Sequence, residues 1–405
     1  MLFSPEKIRQ DFPILKTGLI YFDSASSSLT PEPVLQKMLE FYHEYRANVG
    51  RGVYRLSQEA NEEYERARAK VAGFVNAKSE NEIIMTKNTT EGINTVASGL
   101  KWEKGDKIVI SALEHHSNYI VWLRLKKRFG VEVEVVMPKE PKIRGILELS
   151  DFEKAIDDKT KLVAVTHASN VLGTILPTTE IAKVAHEHDA LMLIDAAQSA
   201  PHMKVDVRKI GCDFLAFSGH KMCGPTGCGV LFMKGDVMDS VEPLSIGGGS
   251  IEDVEIDDYR LNKTAKRFEG GTPPVAEVIG LGAAVDYLQG IGMENIEKYE
   301  KELASQMHEE FCKIPKIEIY GPPPKRKISI LPFNVGDLNS HDVALALDVT
   351  ASIMTRSGHH CALPLMKAVI KKSGLVRAST YFYNTREEVD KLVEAVRKIA
   401  ENLAV

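Results

Sequence analysis

Three side chains in this chain stand where they could do covalent chemistry. Lys221 closes the run Ser218-Gly219-His220-Lys221, which follows the apolar residues Phe214-Leu215-Ala216-Phe217 and leads into Gly224-Pro225-Thr226-Gly227. An amine at a strand end can form a Schiff base with a carbonyl group. Asp195 ends the preceding apolar run, Leu191-Met192-Leu193-Ile194. Alone it reads as a helix-capping or turn carboxylate. On a neighbouring strand end it can reach the opposite side of a ring held by the lysine. Cys361 lies in Arg356-Ser357-Gly358-His359-His360-Cys361-Ala362-Leu363-Pro364-Leu365-Met366, between a glycine and a proline that mark a loop. A free cysteine is commonly a small buried hydrophobe. Two histidines and an arginine beside this one predict cationic neighbours, which favour the thiolate and make it a nucleophile.

An anion has a seat as well. Thr89-Thr90-Glu91-Gly92 opens a helix continued by Ile93-Asn94-Thr95-Val96. Free backbone N–H groups, hydroxyls and the helix dipole favour a phosphate there, although alone the same residues are in most proteins an N-cap. Ser218 and His220, beside the lysine, are further candidate phosphate ligands. A lysine for a Schiff base, a carboxylate to keep a pyridine nitrogen protonated and a phosphate seat together point to pyridoxal phosphate (PLP). Its protonated ring draws electrons from the α-carbon of an amino acid.

These residues must be positioned by a scaffold, and the sequence supplies one. Short apolar runs alternate with helical stretches from about residue 82 to 235: 82–86, 107–111, 131–136, 162–166, 191–195, 214–217 and 230–233. Such runs suit a mostly parallel sheet of seven strands covered on both faces, with ligands beyond the strands' carboxyl ends. Amphipathic helices are expected over 31–48 and 57–74, two more over 275–290 and 295–313, and a last one over Thr385–Leu403. The fold class is α/β, a large domain (16–290) followed by a small α+β domain (291–405), with 1–15 packing on the small domain.

At 405 residues the chain is long for a single core. Its 44% hydrophobic and 26% charged content is that of a globular protein. With 51 basic and 56 acidic side chains the net charge is −5, which argues against a nucleic-acid or anionic-membrane surface. No apolar run is long enough to span a bilayer, and Met1 to Glu6 lacks the features of a signal peptide. Five cysteines in this length suggest no disulfide framework, so a reducing cytoplasm is the expected setting.

The pattern resembles the fold-type I PLP enzymes of the class V aminotransferase family. The residues that carry the resemblance are Asp195-Ala196-Ala197-Gln198-Ser199, the Lys221 run with its glycine turn, Glu114-His115-His116-Ser117-Asn118, His167 to Gly173 and Phe268-Glu269-Gly270-Gly271-Thr272-Pro273. Within that family the Cys361 loop resembles the active-site loop of SufS-type (group II) cysteine desulfurases. The resemblance implies that Lys221 holds PLP, Asp195 pairs with its ring nitrogen, and Asn170 and Gln198 bond its phenolic oxygen. Thr89, Thr90, Ser218 and His220 would hold the phosphate, and His115 would stack on the ring. Thr272 would reach the phosphate of a neighbouring subunit, which implies a homodimer with shared sites. Cys361 would take sulfur from L-cysteine as a persulfide and release alanine, with Lys221 moving protons. Arg377 would clamp the substrate carboxylate, with Arg356 and Asn170 nearby; on its own, Arg377 reads equally as a surface ion-pair arginine.

The implied function is a PLP-dependent cysteine desulfurase serving iron–sulfur cluster assembly, handing sulfur to a SufE- or SufU-like protein or to a cluster scaffold. Selenocysteine lyase or another class V activity is the alternative within the fold, and a non-catalytic PLP-binding regulator lies outside it. Two departures stand out. Gly50 occupies a position where relatives often carry histidine before Arg51-Gly52. Cys223 and Cys228 replace aliphatic or aromatic residues beside the lysine. Two cysteines do not make a four-ligand zinc site, so buried packing is expected for them and no metal.

Overall fold

Residues 82–235 form the expected seven-stranded, mostly parallel sheet, and its inner strands are buried along nearly their whole length. The computed structural model describes residues 3–139 and 144–402. After a two-residue strand β1 (Ile20–Tyr21), the large sheet contains β2 (Ile83–Thr86), β3 (Lys107–Ser111), β4 (Glu132–Val136), β5 (Thr160–Thr166), β6 (Leu191–Asp195), β7 (Phe214–Ser218) and β8 (Gly229–Met233). The strand order is β2-β8-β7-β6-β5-β3-β4. Pairs from β7 to β4 are parallel, while β8 runs against both β7 and β2. Strand β4 ends the sheet and exposes Glu132 and Glu134, charges that discourage pairing with another chain.

The period-two geometry of a strand sorts the apolar runs into two cores. Val109, Val163, Val165, Met192, Ile194, Leu215 and Phe217 face one side. Ile108, Ile110, Leu162, Ala164, Leu193, Phe214 and Ala216 face the other. On the first side, helix Val275–Ile291 packs against helices Glu32–Glu44 and Arg55–Phe74. A side chain at Gly282 would put its Cβ 2.7 Å from the Cβ of Ala67, so this close helix contact requires glycine. The first of these helices stops at Glu44, short of the expected 48, because Tyr45 leaves helical geometry at φ −139° and buries its ring against Phe41.

A hairpin, β9 (Ile251–Val254) and β10 (Tyr259–Leu261), precedes the long helices. The C-terminal part contains β11 (Ile317–Ile319), β12 (Ile330–Val335), β13 (Ile353–Met354), β14 (Arg356–Gly358) and β15 (Leu375–Ser379). Four of them make an antiparallel sheet in the order β11-β12-β15-β14. Helices Met293–Phe311, Ser340–Ala351 and Arg386–Asn402 cover it around Leu303, Phe311, Phe333, Val376 and Leu392. Leu403, the expected end of the last helix, lies outside the described residues, as do Met1 and Leu2 of the segment 1–15. In that segment Phe12 packs on Tyr383 with ring centroids 4.9 Å apart, and Arg9 pairs with Glu388 at 2.8 Å. Ile20 and Phe22, assigned to the large domain by the sequence, pack with the C-terminal core. They do so because β1 runs parallel to β13.

Candidate active site

Strand register brings the chemistry-bearing residues together. Thr166 on β5 lies beside Asp195 on β6, and Asp195 beside Ala216 on β7. Gly229, at the start of β8, pairs with both Ser218 and Thr86. A Cβ at Gly229 would fall 2.6 Å from the Cα of Asn88, so the absent side chain lets the segment after β2 cross over β8. The result is a direct contact. Thr89 N–H donates to Ser218 Oγ at 2.9 Å, and the two hydroxyls are 2.7 Å apart. The strand ends open on a cleft of about 320 Å³ lined by Thr89, His115, Asp195, Lys221, Cys361 and Arg377, among others.

Asp195 is buried, and its Oδ1 accepts from the Ala197 N–H at 2.9 Å. Burial pushes its pKa up against the pull of that N–H and of Lys221, the mark of a carboxylate short of positive charge. Burial pushes the Lys221 amine down, which enlarges its neutral, nucleophilic fraction. Among the described residues no side chain pairs with that amine. Gln198 donates through Nε2 to the Ala25 carbonyl at 2.6 Å, while its buried Oε1 has no partner. An undercompensated carboxylate, an unpaired amine and a hydroxyl cluster at a helix start are groups that PLP would satisfy.

His115 and His220 complete the wall. His115 Nδ1 accepts from the Ser117 N–H at 3.1 Å, which puts the ring proton on Nε2. Burial, then the charge of Lys221, lowers its pKa to about 3, so the ring is neutral. His220 is lowered to about 4 by the same two causes, and its Nδ1 lies 3.3 Å from Ser27 Oγ. Thr90 joins through its hydroxyl, 2.7 Å from Ser117 Oγ.

Arg377 on β15 enters from the C-terminal sheet, buried. Its Nη1 donates to the Asn170 carbonyl at 2.7 Å, and Nη2 to Ser26 Oγ at 2.6 Å and Asp23 Oδ1 at 3.0 Å. Its Nε is buried without a partner. Arg356, across the ladder on β14, is exposed and lies 3.5 Å from Asp23 Oδ2. Asn170 donates its side-chain amide to the His360 carbonyl at 2.8 Å, so one residue touches both the arginine and the cysteine loop.

That loop is exposed at Cys361 and unusual in its backbone. His360 and Cys361 have φ of 50° and 54°, two successive non-glycine residues in the left-handed region, at a cost of about 1–2 kcal/mol each. Hydrogen bonds from other elements hold it. The His116 N–H donates to the Cys361 carbonyl at 2.7 Å, and the Leu363 N–H to His116 Nε2 at 3.0 Å. Within the loop, the Cys361 N–H donates to His359 Nδ1 at 3.1 Å. The expected cationic surroundings are only partly present. His360 is buried, which holds its pKa well below the usual histidine range, and it donates through Nε2 to the Leu375 carbonyl at 3.1 Å. Burial, with the charge of His359, also lowers His116. Positive charge at the cleft comes from the Arg356 and Arg377 side.

Thr272 is not in this cleft. It lines a second one with Arg51, Tyr54 and Arg68, where Glu269 takes a bidentate pair from Arg68 at 2.7 and 2.8 Å. Gly50 lines that second cleft too. Cys223 and Cys228 are buried thiols whose pKa burial pushes up, and the Cys223 N–H donates to Ser28 Oγ at 2.7 Å. Among the described residues no His, Cys, Asp or Glu group is gathered to hold a metal ion.

Sequence reasoning gave no role to Glu114, His116, Asp23 and Ser26. Glu114 is fully buried and accepts from Ser111 Oγ, from the Thr166 N–H at 3.0 Å and from Asn118 Nδ2 at 2.7 Å, tying β3 to β5 behind Asp195. Burial raises its pKa to about 8, so it is mostly protonated at neutral pH. A carboxylate directly after the apolar Ala112-Leu113 was the signal available in the sequence.

The sequence pattern of the family described as aminotransferase class-V matches residues 20–392. A curated relative from Methanothermobacter thermautotrophicus, named a probable cysteine desulfurase, is 48% identical over 98% of both chains. The apo structure of a cysteine desulfurase from Thermococcus onnurineus NA1 superposes with a TM-score of 0.96 at 45% identity, covering 100% of both chains. The cysteine desulfurase CsdA from Escherichia coli, solved with an S-sulfonic acid, gives 0.92 at 32% identity, again over 100% of both.

Proposed function

The chain belongs to the aminotransferase class-V family, and from that premise we propose that it is a PLP-dependent cysteine desulfurase that moves the sulfur of L-cysteine onto Cys361. The observation that carries this reading is the placement of an exposed thiol over the cleft that also holds Lys221, Asp195 and Arg377. An amino-group transfer has no use for that thiol.

When bound, the cofactor supplies an electron sink for the substrate's α-carbon. Lys221 would anchor it covalently and would carry a proton at the substrate's α-carbon. Asp195 gains the positive partner it lacks by keeping the ring nitrogen protonated. Thr89, Thr90, Ser218 and His220 hold the phosphate, with Thr272 contributed by a second copy of the chain. Asn170 and Gln198 would bond the phenolic oxygen, and the neutral ring of His115 would cover one face. Arg377 clamps the substrate carboxylate, oriented by Asp23 and Ser26, with Arg356 adding positive charge at the mouth. The Cys361 thiolate forms a bond to the substrate sulfur as the carbon–sulfur bond breaks, its electrons remaining with the carbon. Protonation of that carbon gives alanine, and Cys361 retains a persulfide. In this reading the protein acts as a homodimer and hands the persulfide sulfur to an acceptor protein for iron–sulfur cluster assembly.

Mixing the PLP-loaded protein with L-cysteine and a thiol reductant tests the proposal. Alanine and sulfide should appear in equal amounts. Cys361→Ala should keep the cofactor's visible absorbance yet release no sulfide. Undiminished sulfide release by that variant would remove the persulfide step and leave a lyase.

A further inference from the structure

The loop that carries Cys361 is held by a residue with no assigned part in the chemistry. His116 immediately follows the ring-covering His115, and it touches the loop twice. Its backbone N–H donates to the Cys361 carbonyl at 2.7 Å, and its side-chain Nε2 accepts the Leu363 N–H at 3.0 Å. These bonds fall on the cysteine itself and two residues beyond it. The ring also lies 5.9 Å from that of His359, tilted by 34°, and His359 Nδ1 accepts the Cys361 N–H on the other side. Cys361 is thereby held through both its N–H and its carbonyl.

The need for such holding is visible in the backbone. His360 and Cys361 both occupy the left-handed region, which an isolated loop of ordinary residues avoids. No helix or strand continues through Cys361 to fix it: β14 ends at Gly358, and the next helix begins at Leu363. The side chain must therefore be aimed by hydrogen bonds from outside the loop. Asn170 supplies one at the His360 carbonyl, and His116 supplies two more, at the Cys361 carbonyl and the Leu363 N–H.

We propose that His116 is a positioning residue for the nucleophile, its imidazole Nε2 clamping the Leu363 N–H so that the Cys361 sulfur points into the cleft. The inference rests on Cys361 being the sulfur acceptor. His116 has no contact with the reacting atoms, and its partner on the loop is a backbone group. Chemistry before sulfur transfer should thus be indifferent to it. Any side chain that offers an acceptor at the position of Nε2 should serve in its place, and glutamine Oε1 has about that reach.

The test uses the PLP-loaded protein in single-turnover reactions with L-cysteine, following cofactor absorbance and persulfide on Cys361 separately. His116→Ala should slow persulfide formation about three- to tenfold, the range expected for one net hydrogen bond. The rate and concentration dependence of the absorbance change should stay as in the unmodified protein. His116→Gln should restore the persulfide rate to within about twofold. His116 is half-buried, so neither substitution opens a core. Persulfide formation unaffected by His116→Ala would overturn the proposal, as would an absorbance change that slows in parallel, or a glutamine variant as slow as alanine. If the unmodified protein forms no persulfide while turning over, the sulfur-acceptor role of Cys361 falls first and the positioning role with it.

Discussion

The cofactor floor and the cysteine loop face one another across the same cleft and are built in opposite ways. Thr89, Asp195, Ser218 and Lys221 stand at or just beyond the ends of strands whose register is fixed by two buried cores. Moving any of them means shifting a sheet in which a one-residue slip would exchange the side chains of the two packed cores. Cys361 stands on a segment with no ladder of its own, in strained backbone, aimed by bonds from Asn170, His116 and His359. A group that must hold a cofactor for the lifetime of the protein sits on rigid strand ends. In the proposed reading, the group that accepts an atom and passes it on sits where a few hydrogen bonds can be exchanged. Rigidity and exchange are thus divided between two kinds of secondary structure.

The sharpest break of this contrast is at the floor. Lys221→Ala should abolish covalent retention of PLP and lower turnover by about four orders of magnitude, the upper range for loss of a group that transfers protons. Mass spectrometry after borohydride reduction would detect the missing adduct. Retained covalent cofactor would mean that another lysine holds it. A loop substitution should do the reverse. Gly358 has φ 106°, and an added Cβ would meet His341 Cε1 at 3.3 Å. Gly358→Ala should leave cofactor content unchanged and slow sulfur transfer about tenfold, read as persulfide yield in a quenched single turnover. If cofactor were lost as well, the two regions would not be independent.

The third effect, on stability, concerns what lies behind the floor. Glu114 has a folded-state pKa raised from 4.5 to about 8 by burial. Between those values the folded state binds a proton that the unfolded state has released. Stability therefore falls as pH rises through this window and changes no further above it. Glu114→Gln removes the titrating group, so its unfolding midpoint in urea should gain on the unmodified protein from pH 5 to pH 9. Parallel curves would show that Glu114 is ionised throughout.

The same contrast explains what could be read in advance. The strands were legible because parallel strands buried on both faces leave unbroken apolar runs, and site residues then follow at their carboxyl ends, as Asp195 follows Leu191 to Ile194. The resemblance supplied positions for Asn170, Gln198 and Arg377, and all three line the cleft. The charge state of the loop was not legible. His360 next to Cys361 looks cationic in sequence, yet it is buried with its Nε2–H on a carbonyl. Burial depends on which distant segment covers a residue, here β15, and spacing along the chain does not carry that information. Glu114 was missed for the same reason, because its partners Ser111, Asn118 and Thr166 meet only when β3 and β5 pair. Thr272 lines a separate cleft of its own chain; the role its motif implied lies at the phosphate of a neighbouring subunit.

The fastening of the cysteine loop limits how far its sulfur can travel. Bonds to neighbouring elements hold residues 360, 361 and 363 in succession. Even a fully extended chain gains only about 3.3–3.6 Å per residue released. Such a segment cannot work as a swinging arm that carries cargo across the protein surface. In the proposed reading, delivery from the exposed Cys361 is a short-range handover, in which the recipient brings its own nucleophile to the mouth of the cleft and fits there.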